Sequence, residues 1–272
     1  MYSNNVIYRA FFTNELWDKE KVLNFIENWN NKKNKVIEEN YFSINFGNKF
    51  FNNQDAKIIG AIREELSQTK DFNNKELDIL LASLIYSADR IANTVGHYEA
   101  YFHNKNLTQQ FNYQIIKPTP INNIEIYRKD ANLLAQQITA DIVYIDPPYN
   151  SRQYSRFYHL LENLVKWEKP KLEGVALKPP AENMSDFCRS KAPLVFKDLI
   201  NNLQCPFIAV SYNNTYNSKS NSSKNKISLE EIEEILNTKG KTKRYEHKYR
   251  YFNSGKTDFN DHKEFLFICT VK

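Results

Sequence analysis

The chain has 272 residues, 41% of them hydrophobic and 25% charged, with a formal net charge of +5; that is enough to bury one substantial core or two modest ones, and mildly basic enough to suit an acidic partner such as a phosphate backbone without selecting one. Three cysteines, Cys188, Cys205 and Cys269, stand far apart with no C-x-x-C pair and no clustered histidines, so neither a disulfide framework nor a metal site is expected. With no basic-then-apolar leader and no apolar run near the roughly 20 residues that cross a bilayer, a cytoplasmic protein with no membrane partner is expected.

Residues 1–118 read as a mostly helical domain. From Glu15 to Trp29, Leu16, Val22, Leu23, Phe25, Ile26 and Trp29 fall on one side of a helix. Tyr41 to Phe51 is aromatic and Asn-rich and predicts a loop or short hairpin. Asp55 is expected to cap a second helix bearing Ile58, Ile59, Ile62 and Leu66, and Leu77 to Ile91 carries the strongest helical period. After Pro118 and Pro120 the pattern changes, and residues 119–272 read as a second domain of alternating strands and helices. Its expected elements are a strand at Ile124 to Tyr127, a helix at Ala131 to Ile138, a buried strand at Asp141 to Ile145 and a helix through Phe157, Leu160, Leu161, Leu164 and Val165. There follow a helix at Leu194 to Leu203 and a buried strand at Phe207 to Val210. A capping box at Ser228-Leu-Glu-Glu231 then opens another helix, and two last strands run over Tyr245 to Phe252 and Glu264 to Val271. The sum is an α/β fold, a doubly wound sheet closed by a hairpin, whose ligands gather beyond the carboxyl ends of its strands.

The chain has only six glycines, Gly47, Gly60, Gly96, Gly174, Gly240 and Gly255, where average usage gives about three times as many. No two are spaced as G-x-G, so no nucleotide-cradling loop can be drawn.

One motif carries chemistry. Asp146-Pro147-Pro148-Tyr149 directly follows the strand Ile142-Val-Tyr-Ile145 and therefore lies at its carboxyl end. Consecutive prolines fix φ and remove two N–H donors, which leaves a rigid corner offering acceptors only. An exocyclic amine presents two N–H donors and a lone pair delocalised into its ring. If the Asp146 carboxylate and the Pro147 carbonyl each accept one hydrogen, the nitrogen can rehybridise and aim that lone pair at an electrophilic methyl group. Tyr149 would stack on the base, worth about 1–3 kcal/mol.

The motif resembles the D-P-P-Y signature of the D12-type, or α-group, adenine-N6 DNA methyltransferases. Asp141-Ile-Val-Tyr-Ile-Asp-Pro-Pro-Tyr-Asn-Ser-Arg-Gln-Tyr154, continuing through Phe157-Tyr-His-Leu-Leu-Glu162, resembles the branch with an N-S-R-Q-Y tail, as does Ile91 to Tyr101. The resemblance implies that Asp146 and Pro147 bind the target amine and that Tyr149 stacks on it. It further implies S-adenosylmethionine as cofactor, double-stranded DNA as partner and a restriction-modification role. By the same resemblance Asp130, in Arg128-Lys-Asp130-Ala131, contacts the cofactor together with Ala131 and Asp146; a helix N-cap is the other reading of Asp130. Full family members open with an F-x-G-x-G loop, which is not found before Asp130. The resemblance therefore implies a Rossmann-like methyltransferase sheet with its early strands missing, and a second polypeptide that supplies the loop, or a homo-oligomer.

Two basic stretches are candidates for gripping DNA: Asn213 to Lys226 with Lys219, Lys224 and Lys226, and the last hairpin with Lys241, Lys243, Arg244, Lys248, Arg250 and Lys256. A solvated strand face explains the same charges. Arg152, Tyr154 and Arg156 follow the motif directly and are better placed, with Tyr158 as a support. The competing functional classes are a DNA-binding or regulatory subunit without activity of its own, and an amino-methyltransferase acting on another base or on RNA.

Overall fold

The computed structural model describes residues 1–103, 105–214, 224–248 and 262–272. In chain order the helices are α1 (Tyr2–Phe12), α2 (Lys19–Lys32), α3 (Tyr41–Phe46), α4 (Asn53–Gln68), α5 (Asn74–Asp89), α6 (Ala131–Ala135), α7 (Tyr154–Phe157), α8 (His159–Lys166), α9 (Ala192–Asn202) and α10 (Leu229–Lys239). The strands are β1 (Ile142–Ile145), β2 (Phe207–Asn213), β3 (Gly240–Lys248) and β4 (Lys263–Val271). No described helix is long and apolar enough to cross a membrane. The chain divides into two compact units, the first made of Met1–Arg128 and Tyr154–Asn183, the second of Lys129–Gln153 and Met184–Lys272.

The first unit is helical, and the chain enters it twice because α8 is too apolar to stand alone: Leu160, Leu161, Leu164 and Val165 join a core with Val22, Ile26, Ile58, Ile62, Leu80 and Leu84. Polar groups then close the helix ends. The Glu162 carboxylate on α8 accepts from the backbone N–H of Tyr2 (2.9 Å) and Ser3 (2.8 Å) and from the Ser3 hydroxyl (2.6 Å), capping the first turn of α1. Arg63 on α4 donates to the carbonyls of Leu164 (2.7 Å) and Val165 (2.8 Å) at the end of α8.

Three expectations change here. Asp55 does not cap α4; Asn52 does, accepting from Gln54 N–H at 2.9 Å. Asp55 lies within the first turn and is buried, where it accepts from the N–H groups of Gln110 (2.8 Å) and Phe111 (3.0 Å). Tyr41 to Phe46 is a helix and not a loop, because Asn40 and Ser43 form a capping box and Phe42 and Phe46, one turn apart, both point into the core. The stretch Ile124 to Tyr127 forms no strand, as no ladder runs alongside it to take its backbone groups.

The second unit is a four-stranded mixed sheet in the order β1-β2-β4-β3, parallel between β1 and β2 and antiparallel elsewhere. Period-2 alternation puts Ile208, Val210 and Tyr212 of β2 and Phe265, Phe267 and Cys269 of β4 on one face, buried with Phe196 and Ile200 of α9 and Ile232 and Leu236 of α10. The opposite face is open. Among the described residues β1 ends the strand order, and Ile142 is 64% exposed and Tyr144 63% on the open face, so β1 is not the buried strand its apolar run predicted; only Val143 and Ile145 pack inward. Helix α6 is also shorter than expected, ending at Ala135. The capping box of Ser228 and Glu231 opens α10 as read. The part of the penultimate strand read to Phe252 lies outside the described residues, and within them β3 begins earlier, at Gly240.

Candidate active site

The last ladder pair of the parallel strands is Ile145 with Val210, and β2 runs three residues further, to Asn213. Asp146 therefore leaves β1 alongside Ser211, at the carboxyl end of both strands. Ile145 and Val210 face the core, so alternation turns Asp146 and Ser211 towards the open face. In the antiparallel partner β4, Glu264 pairs with Asn213 on that same face.

At the Pro-Pro corner Pro147 is buried, while Asp146 is exposed. Around it the contacts converge. The Tyr149 hydroxyl donates to Asp146 Oδ1 at 2.9 Å, and the Ser211 hydroxyl donates to the same oxygen at 3.2 Å. Tyr149 is itself fixed from below: its carbonyl accepts from the Tyr212 hydroxyl (3.1 Å) and from Lys226 N–H (2.9 Å), and its ring stands edge-on to Tyr212 with centroids 5.1 Å apart. Burial, and then the neighbouring Asp146 carboxylate, hold the Tyr149 phenol well above the usual tyrosine range. Burial pushes Tyr212 up to about 12. Glu264 is raised first by burial and then by the charge of Asp146. Both tyrosines therefore stay neutral at physiological pH as hydroxyl donors, Tyr149 to the Asp146 carboxylate and Tyr212 to the Tyr149 carbonyl.

The other sequence-derived residues distribute as follows. Asp130 caps α6, its Oδ1 accepting from Asn132 N–H (3.0 Å) and Leu133 N–H (3.2 Å); Asp130 and Ala131 are both exposed. Arg152 is half-buried, its N–H bound to Asn150 Oδ1 at 3.0 Å and its carbonyl accepting from the Cys188 thiol at 3.4 Å. Lys224 is exposed and Lys226 half-buried, whereas Lys219, Arg250 and Lys256 lie outside the described residues. Tyr154 and Arg156 belong to the helical unit; the Tyr154 ring stacks with that of Tyr158 at 6.4 Å, and Arg156 donates to the Pro179 carbonyl at 2.5 Å. Within the similar stretch from Ile91 to Tyr101, Tyr98 is buried with its hydroxyl on Asp89, which fits support better than contact with a ligand.

Sequence reasoning missed Ser211, Tyr212 and Glu264. The signal was there for the first two: Ser211 and Tyr212 end a strand parallel to the motif strand, and ligand sites in such sheets form where carboxyl ends meet.

The sequence profile of the D12 class N6 adenine-specific DNA methyltransferases matches residues 1–202. Among curated proteins, the modification methylase StsI of Streptococcus sanguinis is 37% identical over 65% of this chain and 27% of its own length. The type II methyltransferase M.NlaIII of Neisseria lactamica is 31% identical over 79% of this chain and 64% of its own. The type II methyltransferase M.FokI of Planomicrobium okeanokoites is 32% identical over 80% and 34% respectively. The chain thus spans between about a quarter and two thirds of the length of these relatives. No solved structure matches it.

Proposed function

We propose, from the premise that the chain belongs to the D12 class of N6 adenine-specific DNA methyltransferases, that it is the target-base part of a site-specific DNA adenine-N6 methyltransferase of a restriction-modification system. The observation that carries this reading is the corner at Asp146: an exposed carboxylate whose two hydrogen bonds among the described residues both fall on Oδ1, on a turn that offers acceptors only. Asp146 Oδ2 accepts one hydrogen of the adenine amine and the Pro147 carbonyl the other, which frees the nitrogen lone pair. Tyr149, its backbone pinned by Tyr212 and Lys226, offers its ring to the base. An adenine within a duplex must be flipped out to reach this corner, at a cost of a few kcal/mol. Positioning and exclusion of water carry the rate.

The methyl comes from S-adenosylmethionine, which when bound supplies a carbon made electrophilic by its sulfonium. The residues present fit one end of that molecule. Asp130 caps α6 through Oδ1 and is an exposed residue beside exposed Ala131, so its second oxygen suits the adenine end. The methionine end calls for a close backbone approach, and no G-x-G pair occurs in the chain to allow it. A polypeptide segment outside these 272 residues, carrying that loop and the early strands of a Rossmann-like sheet, meets the requirement, which a second copy of this chain would not. Among the described residues no strand pairs with the outer edge of β1, which supports such a segment. Residues 1–118 are proposed as the region facing DNA, and residues 119–272 as the catalytic core. Arg152, Tyr154, Arg156, Lys224 and Lys226 are the phosphate contacts that this reading assigns. A cytoplasmic location follows from the DNA substrate.

Nucleoside analysis of DNA incubated with the chain, the completing polypeptide and labelled S-adenosylmethionine tests the activity; N6-methyldeoxyadenosine is expected, and DNA binding without any methylated base refutes it. Calorimetry tests the division of labour, since tight binding of S-adenosylmethionine by this chain alone rules out a separate cofactor loop.

A further inference from the structure

We propose that Ser211 is a positioning residue for this reaction, holding the Asp146 carboxylate so that Oδ2, and not Oδ1, meets the target amine. The inference rests on the adenine-N6 reading above. It starts from the register: with Ile145 opposite Val210 and β2 running on to Asn213, Ser211 is the first β2 residue beyond the paired segment, on the open face beside Asp146. Its hydroxyl reaches Asp146 Oδ1 at 3.2 Å, and the Tyr149 hydroxyl reaches the same oxygen at 2.9 Å. A carboxylate oxygen has two lone-pair directions, so these two donors fill Oδ1 and leave Oδ2 as the acceptor.

The terminal torsion of an aspartate is broad, and one donor alone leaves the group free to swing about it. Two donors fixed from different elements, one on the turn and one on the sheet, define its plane. They are not equivalent in action. Tyr149 is the residue whose ring meets the base, so its hydroxyl moves with any adjustment of that ring. Ser211 sits on β2, which is flanked by β1 and β4, and its donor stays where the ladder puts it. Ser211 thus holds the acceptor geometry while the base is seated.

The test compares Ser211→Ala with Ser211→Thr, which keeps the hydroxyl and suits a strand. In single-turnover transfer to DNA by the chain with its completing polypeptide, Ser211→Ala should transfer about tenfold more slowly, as expected for losing a hydrogen bond to a charged group. Its DNA affinity should stay within about twofold and Ser211→Thr should recover most of the rate, a pattern a merely structural role would not give. Transfer by Ser211→Ala at the wild-type rate overturns the inference and leaves the adenine reading intact. A second readout needs no activity: the Asp146 carboxyl carbon resonance of the isolated chain, assigned with Asp146→Asn, should move in Ser211→Ala and return in Ser211→Thr. An unmoved resonance overturns the inference even if the wild type transfers nothing, which would count against the adenine reading alone.

Discussion

Replacing Tyr149 separates stacking on the base from holding the carboxylate. The backbone of Tyr149 is anchored independently of its side chain, by Tyr212 at 3.1 Å and by Lys226 N–H at 2.9 Å, so the corner should survive truncation. Tyr149→Ala loses the ring, and with it about 1–3 kcal/mol of stacking on an extrahelical base, equivalent to a loss of about five- to 150-fold. Tyr149→Phe keeps the ring and loses only the hydroxyl bond to Asp146, one of two on that oxygen, so it should lie within a few-fold of wild type. The assay is fluorescence of 2-aminopurine at the target position, which rises on unstacking, read beside kcat/KM for methyl transfer. The expected order is wild type, then Phe close behind, then Ala well below. Equal behaviour of Phe and Ala would show that the ring does not meet the base, and the stacking role would fall.

Glu162→Ala should lower stability by about 2–3 kcal/mol, because three hydrogen bonds at the start of α1 are lost and two backbone N–H groups are left without their acceptor; a denaturant midpoint unchanged from wild type contradicts the cap. Glu39 is held at about 2 by hydrogen bonds from Ser43, Lys57 and Asn53. A depressed carboxylate stabilises above its unfolded value and loses that contribution as pH falls through its folded value, so melting of Glu39→Gln should trail wild type at pH 7 and converge with it near pH 2. A gap that persists in acid would refute the assignment. Alanine at both Lys224 and Lys226 should weaken binding similarly on all DNA sequences and flatten the dependence of affinity on salt by about two phosphate contacts; an unchanged slope returns both lysines to the solvated surface.

What the sequence made legible was local. The D-P-P-Y corner, the capping box at Ser228 and the long apolar periods of α4 and α5 each depend on residues within a turn or two of one another, and each stands where it was read. Errors came where a distant partner decides. The apolar run of β1 looks buried, yet nothing in the run says that its outer edge has no neighbour, and Tyr144 is left exposed. Asp55 looked like a cap because caps are acidic and local, while its true partners, Gln110 and Phe111, are more than fifty residues away. Ser211 stood at the carboxyl end of a second strand, which the sequence does signal, but only the parallel register brings it beside Asp146. The return of α8 to the helical unit likewise rests on Arg63 and on contacts formed across a hundred residues of sequence.

The central claim is that the Asp146 corner accepts an adenine amine. Asp146 is exposed, so Asp146→Ala should leave the melting curve close to wild type. Mass spectrometry of nucleosides from DNA treated with the complete complex should show N6-methyldeoxyadenosine with the wild type and a loss of at least about a hundredfold with Asp146→Ala. Undiminished methylation by the variant, or a methylated cytosine in place of adenine, would contradict the account.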